Sequence, residues 1–305
     1  MKQEISYPKF KTFYYIAIEN SFKKAASRLY ITEGAVSQQI KDLEVRIGKR
    51  LFDRSNRKVI LTQDGLNLFD LVEPIIERVE NVVEEFTQIS GKLRGKITIV
   101  SFGALLVYLF PDYLNKFRSK YPECEIFLIN APGKEIESAV LSGRVDFGIG
   151  SVEDLPESIV GKELWSFKRY FAAPLGHPLS RKRGMTFRDI AQFPIVMPDR
   201  TSKTGNRMFR ELERYNPNLK ITVEAGDWEV VMKYVEMGFG VSMLPGMIIQ
   251  PKDKNRLYLR DLSEVDEKGG ISKYGILLKR GKYISPAAKE LIRFLSPEID
   301  FDSLK

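Results

Sequence analysis

The chain has 305 residues, of which 43% are hydrophobic and 29% charged, and this balance is typical of globular proteins. The length is too great for one small domain, so we expect two or three folding units. A single cysteine, Cys124, and a single histidine, His177, exclude an internal disulfide and argue against a Cys–His zinc site or a histidine-based catalytic group.

The N-terminus reads MKQEISYPKFKTF and lacks the apolar segment and the cleavage site of a signal peptide. No later stretch approaches the roughly 20 consecutive apolar residues of a membrane helix. We therefore expect a cytoplasmic protein with no membrane partner. No catalytic motif is recognisable, so we expect no enzyme activity, no cofactor and no metal, although carboxylate-only or Ser–Lys chemistry stays open.

Charge is distributed unevenly along the chain. Residues 1–58 hold 13 Lys and Arg against 6 Asp and Glu, whereas residues 62–91 hold Arg78 alone against seven acids. A small basic unit followed by an acidic segment indicates a polyanion-binding head on a separate stalk.

Apolar residues at helical spacing predict three helices in the head, the first behind Pro8 and ended by Asn20. Ser21 is suited to cap the second helix, which runs to Leu29. Thr32 is suited to cap the third, which ends at Gly48. The third helix buries one face, made of Val36, Ile40, Leu43 and Ile47.

The opposite face of the third helix is typical of a recognition helix, in which N-terminal residues read base edges while the cap region meets phosphate. Gln38 is suited to a bidentate contact with adenine, and Ser37 and Lys41 to base or phosphate. A merely solvated polar face stays open as the alternative. The predicted DNA-binding residues of the three helices are Ser21, Thr32, Glu33, Gly34, Ser37, Gln38 and Lys41.

Two short β-prone pieces follow and flank a turn at Ser55-Asn56. Arg54, Arg57 and Lys58 place three cations on this turn. A two-stranded wing with basic residues at its tip would contact the DNA backbone or minor groove beside the recognition helix. We therefore predict a winged helix-turn-helix, mainly α, over residues 1–60.

The head closely resembles the LysR-type transcriptional regulators. The matching residues are Phe13-x8-Ser21-Phe22-x2-Ala25-Ala26-x2-Leu29, Ser37-x2-Ile40-x2-Leu43-Glu44-x3-Gly48-x2-Leu51-Phe52-x-Arg54 and Leu61-Thr62-x2-Gly65. The chain departs from the family at Glu33-Gly34, where Gln-Pro is common, and at Asp64, where a small residue is usual. A carboxylate at position 33 repels phosphate but can accept from cytosine N4, so the base preference stays open.

Residues 61–91 are predicted to form a long linker helix, capped by Thr62 and running to about Gly91. Its apolar residues follow the 3-4-3-4-3 spacing of a coiled-coil seam. The resemblance implies that the helix pairs two copies of the chain, as dimers or tetramers, whereas packing on its own chain is the alternative. The predicted dimerisation residues are Phe69, Val72, Ile76, Val79, Val83 and Phe86.

Strands and helices alternate through residues 92–305, which indicates an α/β unit with a largely parallel sheet. The resemblance implies a two-lobed, periplasmic-binding-protein-like effector domain. Lobe I would comprise about 92–167 and 268–305, and lobe II about 168–267. Ligands of open α/β sheets lie outside the carboxyl ends of the strands. The predicted effector-binding residues at such ends are Ser101, Asn130, Ser151, Thr201, Ser202 and Thr204.

Hydroxyls of this kind can hold a small anion, although ordinary helix capping explains each of them singly. Residues 227–241 are similar to the cysteine-regulon branch of the family, whose effectors are small anions. Three other classes of protein fit less well. A solute-binding protein has no basic head, and an enzyme needs clustered acid and base groups. A non-specific DNA binder needs no effector domain. The expected partners are double-stranded DNA, a small-molecule effector, a second copy of the chain and RNA polymerase.

Overall fold

The computed structural model describes residues 6–53, 59–89, 93–265 and 270–301. Three helices form the head: α1 (Tyr7–Glu19), α2 (Phe22–Leu29) and α3 (Glu33–Ile47). Asn20 ends α1 with a φ of 49°, a left-handed conformation that asparagine tolerates better than most residues. Gly48 ends α3 with a φ of 72°. The predicted helix boundaries of the head are confirmed.

A two-stranded wing follows the three helices. Strand β1 (Phe52–Asp53) pairs antiparallel with β2 (Ile60–Leu61). The Glu44 carboxylate accepts the Leu51 N–H at 2.7 Å and so ties the base of the wing to α3. The predicted cations of the wing turn, Arg54, Arg57 and Lys58, lie outside the described residues.

The linker is two helices, α4 (Gln63–Glu80) and α5 (Val82–Ile89), rather than the single helix that the sequence predicts. Thr62 caps α4 as expected, accepting the Gly65 N–H at 3.0 Å. Asn81 interrupts the helix with a ψ near 2°, and its side-chain amide donates to the Glu77 carbonyl at 2.7 Å. An asparagine that bonds the preceding turn competes with the regular backbone pattern, which explains the break.

The sheet of lobe I is mixed rather than largely parallel. Strand β3 (Gly95–Ser101) lies parallel to β4 (Cys124–Asn130) and to β5 (Phe147–Ser151). The long strand β11 (Ile271–Lys279) runs the opposite way and pairs antiparallel with β5 on one side and with the long strand β6 (Ile159–Pro174) on the other. Strand β4 forms one edge of this sheet.

Strand β6 is shared between the lobes. Residues up to Lys168 pair with β11, and those from Arg169 onward pair with β9 (Ser242–Pro245) and β10 (Leu257–Asp261). Lobe II also contains the parallel pair β7 (Ile195–Pro198) and β8 (Ile221–Ala225). Because β6 crosses from lobe I to lobe II within paired strands, this crossing is part of a sheet rather than a free loop.

Helices cover both lobes. Apolar side chains form separate buried clusters in the head, in lobe II and beneath the helix Gly133–Leu141 of lobe I, and a larger cluster joins β3 and the C-terminal helix to parts of both lobes. No helix among the described residues is long and apolar enough to cross a membrane. The remaining helices are α6 (Gly103–Tyr108), α7 (Phe110–Lys120), α8 (Gly133–Leu141), α9 (Phe187–Ile190), α10 (Lys203–Glu213), α11 (Trp228–Glu236) and α12 (Pro286–Leu295).

Candidate functional site

The N-terminal half of α3 carries the predicted base-reading face. Glu33, Gly34, Gln38 and Lys41 are exposed and Ser37 is half-buried. The opposite side of the helix is fixed in the core of the head by Val36, Ile40 and Leu43, each with no exposed surface. A helix held rigidly on one side presents the other side in a fixed orientation, as base recognition requires.

The two predicted cap residues have the hydrogen bonds expected of them. The Ser21 hydroxyl accepts the Lys24 N–H and the Thr32 hydroxyl accepts the Ala35 N–H, each at 3.2 Å. Both caps lie at helix N-termini, where free N–H groups and the helix dipole favour phosphate. Their structural role is explained by capping alone, and phosphate contact stays a prediction.

The Gln38 amide is oriented by a small polar cluster that the sequence did not reveal. It donates to Asp42 Oδ1 at 2.8 Å, and Lys9 of α1 reaches Asp42 Oδ2 at 3.2 Å. These bonds, the one from Gln38 first, hold the pKa of the Asp42 carboxyl below its usual range. This bond uses one of the two amide N–H groups of Gln38, and the other N–H and the amide oxygen remain for contact with a base.

The predicted dimerisation seam divides into two parts. Phe69, Val72 and Ile76 are at most 7% exposed because they pack into the core of the head, where Phe69 stacks on Tyr14 at 5.8 Å between ring centroids. They are therefore not available to a second copy, and the prediction of a seam facing a partner along its whole length is corrected here. Of the remaining members, Val79 is 47% exposed, and Val83 and Phe86 are each 69% exposed.

A different apolar stripe of the linker faces solvent. We call it the exposed linker stripe, and the exposed fractions of its side chains lie between 47% and 69%. Its members are Leu71, Ile75, Val79, Val82 and Phe86. The spacing of 4-4-3-4 is as regular as that of the predicted seam. Helix α4 therefore carries a second apolar face besides the one the sequence analysis predicted, and the position of the head shows which of them is covered.

The linker is joined to lobe I of its own chain by buried ion pairs. Lys279 of β11 contacts Glu73, and Lys282 contacts Glu77 at 3.2 Å. The exposed fractions of these four side chains lie between 2% and 12%. Burial raises the pKa of Glu77 to about 7, against the opposing effect of Lys282.

A small cleft with a cavity volume of about 70 Å³ lies between the lobes. Three of the predicted effector-binding residues, Ser151, Ser202 and Thr204, line it. The Ser202 hydroxyl already accepts the Gly205 N–H at 3.1 Å and donates to the Asp199 carbonyl at 2.6 Å, so it caps α10 and has no free proton. Ser151 and Thr204 are the better placed of the three to contact a ligand.

The other three predicted effector-binding residues are not among the residues that line the cleft. Ser101 is completely buried at the end of β3, and its hydroxyl has no hydrogen-bond partner within the described chain. The Thr201 hydroxyl donates to Asp199 at 2.8 Å within a surface turn, and Asn130 is exposed.

Charged side chains join the two lobes across the cleft. Lys203 of lobe II pairs with Glu137 of α8 at 2.9 Å, and both residues line the cleft. A second pair between the lobes joins Arg207 to Glu153 at 2.6 Å. The sequence gave no signal for these pairs, because the partners are 54 or more residues apart.

Both parts of the chain match known family models. One described as "Bacterial regulatory helix-turn-helix protein, lysR family" matches residues 8–66, and one described as "LysR substrate binding domain" matches residues 90–299. The second match alone covers more than half of the chain.

Several proteins are similar over nearly the whole length. The regulator SsuR of Burkholderia cenocepacia is 25% identical over 279 residues, covering 91% of this chain and 90% of that protein. CysB of the same organism is 24% identical over 289 residues, covering 93% and 91%. YbhD of Escherichia coli is 26% identical over 302 residues, covering 97% and 92%.

Solved structures share the fold. A full-length OxyR variant from Pseudomonas aeruginosa superposes with a TM-score of 0.72 at 19% identity, covering 97% of this chain and 95% of its own. Full-length CbnR bound to its target DNA superposes with a TM-score of 0.55 at 14% identity, covering 97% of this chain and 100% of its own. Full-length BenM gives 0.55 at 22% identity, covering 99% of both chains.

Proposed function

The chain belongs to the LysR family of bacterial transcription regulators, and on that basis we propose that it binds specific DNA sequences in response to a small molecule held between its lobes. The observation that carries the proposal is the combination, in one chain, of a head with a rigid exposed helix face and a two-lobed domain with a lined cleft. Neither an enzyme nor a solute-binding protein needs that head.

DNA recognition is assigned to the N-terminal half of α3. Gln38 and Ser37 face base edges, Lys41 faces base or phosphate, and Glu33 is available to cytosine. The basic turn between β1 and β2 supplies the contacts that are independent of sequence. CbnR, which has the same overall fold, has been solved in complex with its target DNA, and this supports DNA as the ligand of the head.

Pairing of two copies is assigned to the exposed linker stripe. Five large, exposed apolar side chains on the consecutive helices α4 and α5 are unusual on a monomer surface and typical of a surface covered by a partner. A two-fold dimer presents two heads to two related half-sites. Dimers can associate further into tetramers and contact RNA polymerase, and we place the protein in the cytoplasm because its target is DNA.

The cleft is assigned to a small effector that carries an acidic group. Ser151, Thr204 and the Lys203 ammonium line the cleft together and provide hydrogen bonds and one positive charge. Because Lys203 and Arg207 join the lobes through pairs with Glu137 and Glu153, a ligand inserted here changes the relative position of the lobes. The ion pairs between lobe I and α4 then transmit that change to the head.

The coupling is tested by comparing DNA footprints of the full-length chain with and without compounds that raise its thermal unfolding temperature. We expect a ligand of the cleft to alter the length of the footprint or the pattern of cleavage at its centre. Lys203→Met should abolish both the stabilisation and the change in footprint. Identical footprints with every stabilising compound contradict the proposed response.

A further inference from the structure

The ion pair between Lys203 and Glu137 has an unusual position for a structural salt bridge. One partner comes from each lobe, both side chains line the cleft, and they are only 29% and 21% exposed. Lys203 also donates to the backbone carbonyls of Glu153 and Asp154. Any ligand that enters between the lobes at this point separates two partly buried opposite charges.

The walls beside this pair are apolar. Phe102 and Trp228 approach from lobe I and lobe II, and Ile136 and Leu277 complete the surface on the lobe I side. An inorganic oxyanion would place several of its oxygens against carbon, where they lose hydrogen bonds to water without replacement. A ligand that matches these walls has an apolar body.

The charges of the cleft give a second constraint. Among the described residues that line it around this pair, the one cation is Lys203 and the carboxylates are Glu137 and Asp199, while the neighbouring Arg207 is already paired with Glu153. A simple anion that took Lys203 would leave the Glu137 carboxylate partly buried and without its partner, and an unpaired charge of this kind is costly. A ligand with both a negative and a positive group inserts into the pair and leaves neither charge alone.

We infer that the effector is a zwitterion with an apolar body, namely an α-amino acid whose side chain is hydrocarbon or aromatic. Its carboxylate pairs with Lys203 and bonds Thr204, its ammonium pairs with Glu137, and its side chain lies between Phe102 and Trp228. This inference rests on the proposed function, because it names the ligand of the same cleft.

The first test screens the full-length chain by thermal shift with the standard L-amino acids, sulfate, 3-phenylpropanoate and 4-methylpentanoate. The last two are phenylalanine and leucine without the amino group. We expect an apolar amino acid to bind, by calorimetry, about tenfold or more tightly than its counterpart without the amino group, because the lost ammonium contact is a charged hydrogen bond. Tighter binding of sulfate or of the counterpart overturns the inference, as does binding of none of the amino acids.

Two variants identify the contact. Glu137→Gln should remove the preference for the amino group, so that the affinities for the amino acid and for its counterpart without the amino group differ by no more than about threefold. Glu135→Gln changes an exposed acid on the same helix that does not line the cleft, and it should keep the preference. An unchanged preference in Glu137→Gln contradicts the assignment. The proposed function fails separately, if compounds bind the cleft and none of them alters the DNA footprint.

Discussion

Gly143, in the turn after α8, shows how closely the linker fits against lobe I. Its φ is +71°, a conformation that side chains rarely adopt, and a Cβ there would overlap the Glu73 carboxylate. The neighbouring Lys282 ammonium donates to the Gly143 carbonyl at 2.7 Å. A glycine is therefore favoured here for two reasons: the backbone has a positive φ, and Glu73 of α4 occupies the space that a side chain would need.

Gly143→Ala should destabilise the chain more than Gly281→Ala, a matched change at a φ of +74° with open space around the missing Cβ. We expect the free energy of unfolding to fall by about 1 kcal/mol for Gly281→Ala and by about 3 kcal/mol for Gly143→Ala, since only the second adds a clash to the backbone strain. Denaturant unfolding measures both. Equal losses would mean that Glu73 is not held against the turn.

Gln38→Ala should relax the preference for one base pair of the operator, with a loss of about 1–3 kcal/mol of discrimination and little change in stability. Gln63→Ala is the matched control, because Gln63, the first residue of the linker helix α4, is also an exposed glutamine that donates to a side chain four residues on. Competition binding with single-base variants of the operator measures the effect. If both variants discriminate equally well, Gln38 does not read a base.

Single residues whose role depends on neighbours in the chain were predictable. Ser21, Thr32 and Thr62 cap helices as expected, because a cap needs only the N–H groups two or three residues ahead. The Lys203–Glu137 pair was not, because it depends on the approach of two lobes. Lys203 stands between two predicted effector-binding residues, Ser202 and Thr204, but its role depends on a partner 66 residues away in the chain.

At the scale of elements, the linker helix is where periodicity alone was insufficient. Helix α4 has an apolar face toward α1 and another toward solvent, so a coiled-coil spacing fits either of them. Which of the two faces is buried depends on how far the core of the head extends along α4, and this follows from tertiary packing rather than from the local sequence. The buried face stabilises the head, and the exposed linker stripe remains for a second copy.

Adjacent residues separate the two faces experimentally. Ile75, 59% exposed, belongs to the exposed linker stripe, whereas Ile76 has no exposed surface. Ile75→Asp should convert dimers to monomers in sedimentation experiments while the unfolding of the head stays unchanged. Ile76→Ala should instead lower the free energy of unfolding by about 2–5 kcal/mol and leave the association intact. If Ile76→Ala instead disrupted the dimer and Ile75→Asp did not, the dimer contact would lie on the predicted seam.

The buried acid of the linker predicts a pH dependence. The pKa of Glu77 is raised to about 7, so the folded chain holds a proton that the unfolded chain releases near its ordinary value of 4.5. Stability from this group therefore falls as the pH rises from about 4.5 to 7, because the folded state binds more protons there. Lys282, Glu73, Asp146 and Tyr14 surround the carboxyl and act on the same equilibrium.

Glu77→Gln removes this titration while keeping a hydrogen-bonding group of the same size. Relative to the wild type, the variant should become more stable as the pH rises from 5 to 8, and denaturant unfolding across that range of about three pH units measures the difference. A difference that is constant with pH, or one of opposite sign, would show that Glu77 is already ionised in the folded chain.

At the scale of the whole molecule, the order of the units was predictable and the sheet was not. A basic head, an acidic linker and an alternating α/β pattern follow from composition and periodicity. The direction of β11, antiparallel to both β5 and β6, was missed, because strand direction depends on which strands become neighbours after the chain has crossed between lobes. Strand β11 connects the cleft, which Tyr274 and Leu277 line, to the ion pair between Lys279 and Glu73.

Selection of the full-length chain on random duplex DNA tests the central claim most directly. The account predicts an enriched motif of two inverted half-sites whose centres lie about one helical turn, or a multiple of it, apart. Binding to this motif should be at least about 1000-fold tighter than binding to a scrambled duplex at the same salt concentration. Recovery of no motif, or equal affinity for both duplexes, would contradict sequence-specific recognition by the head.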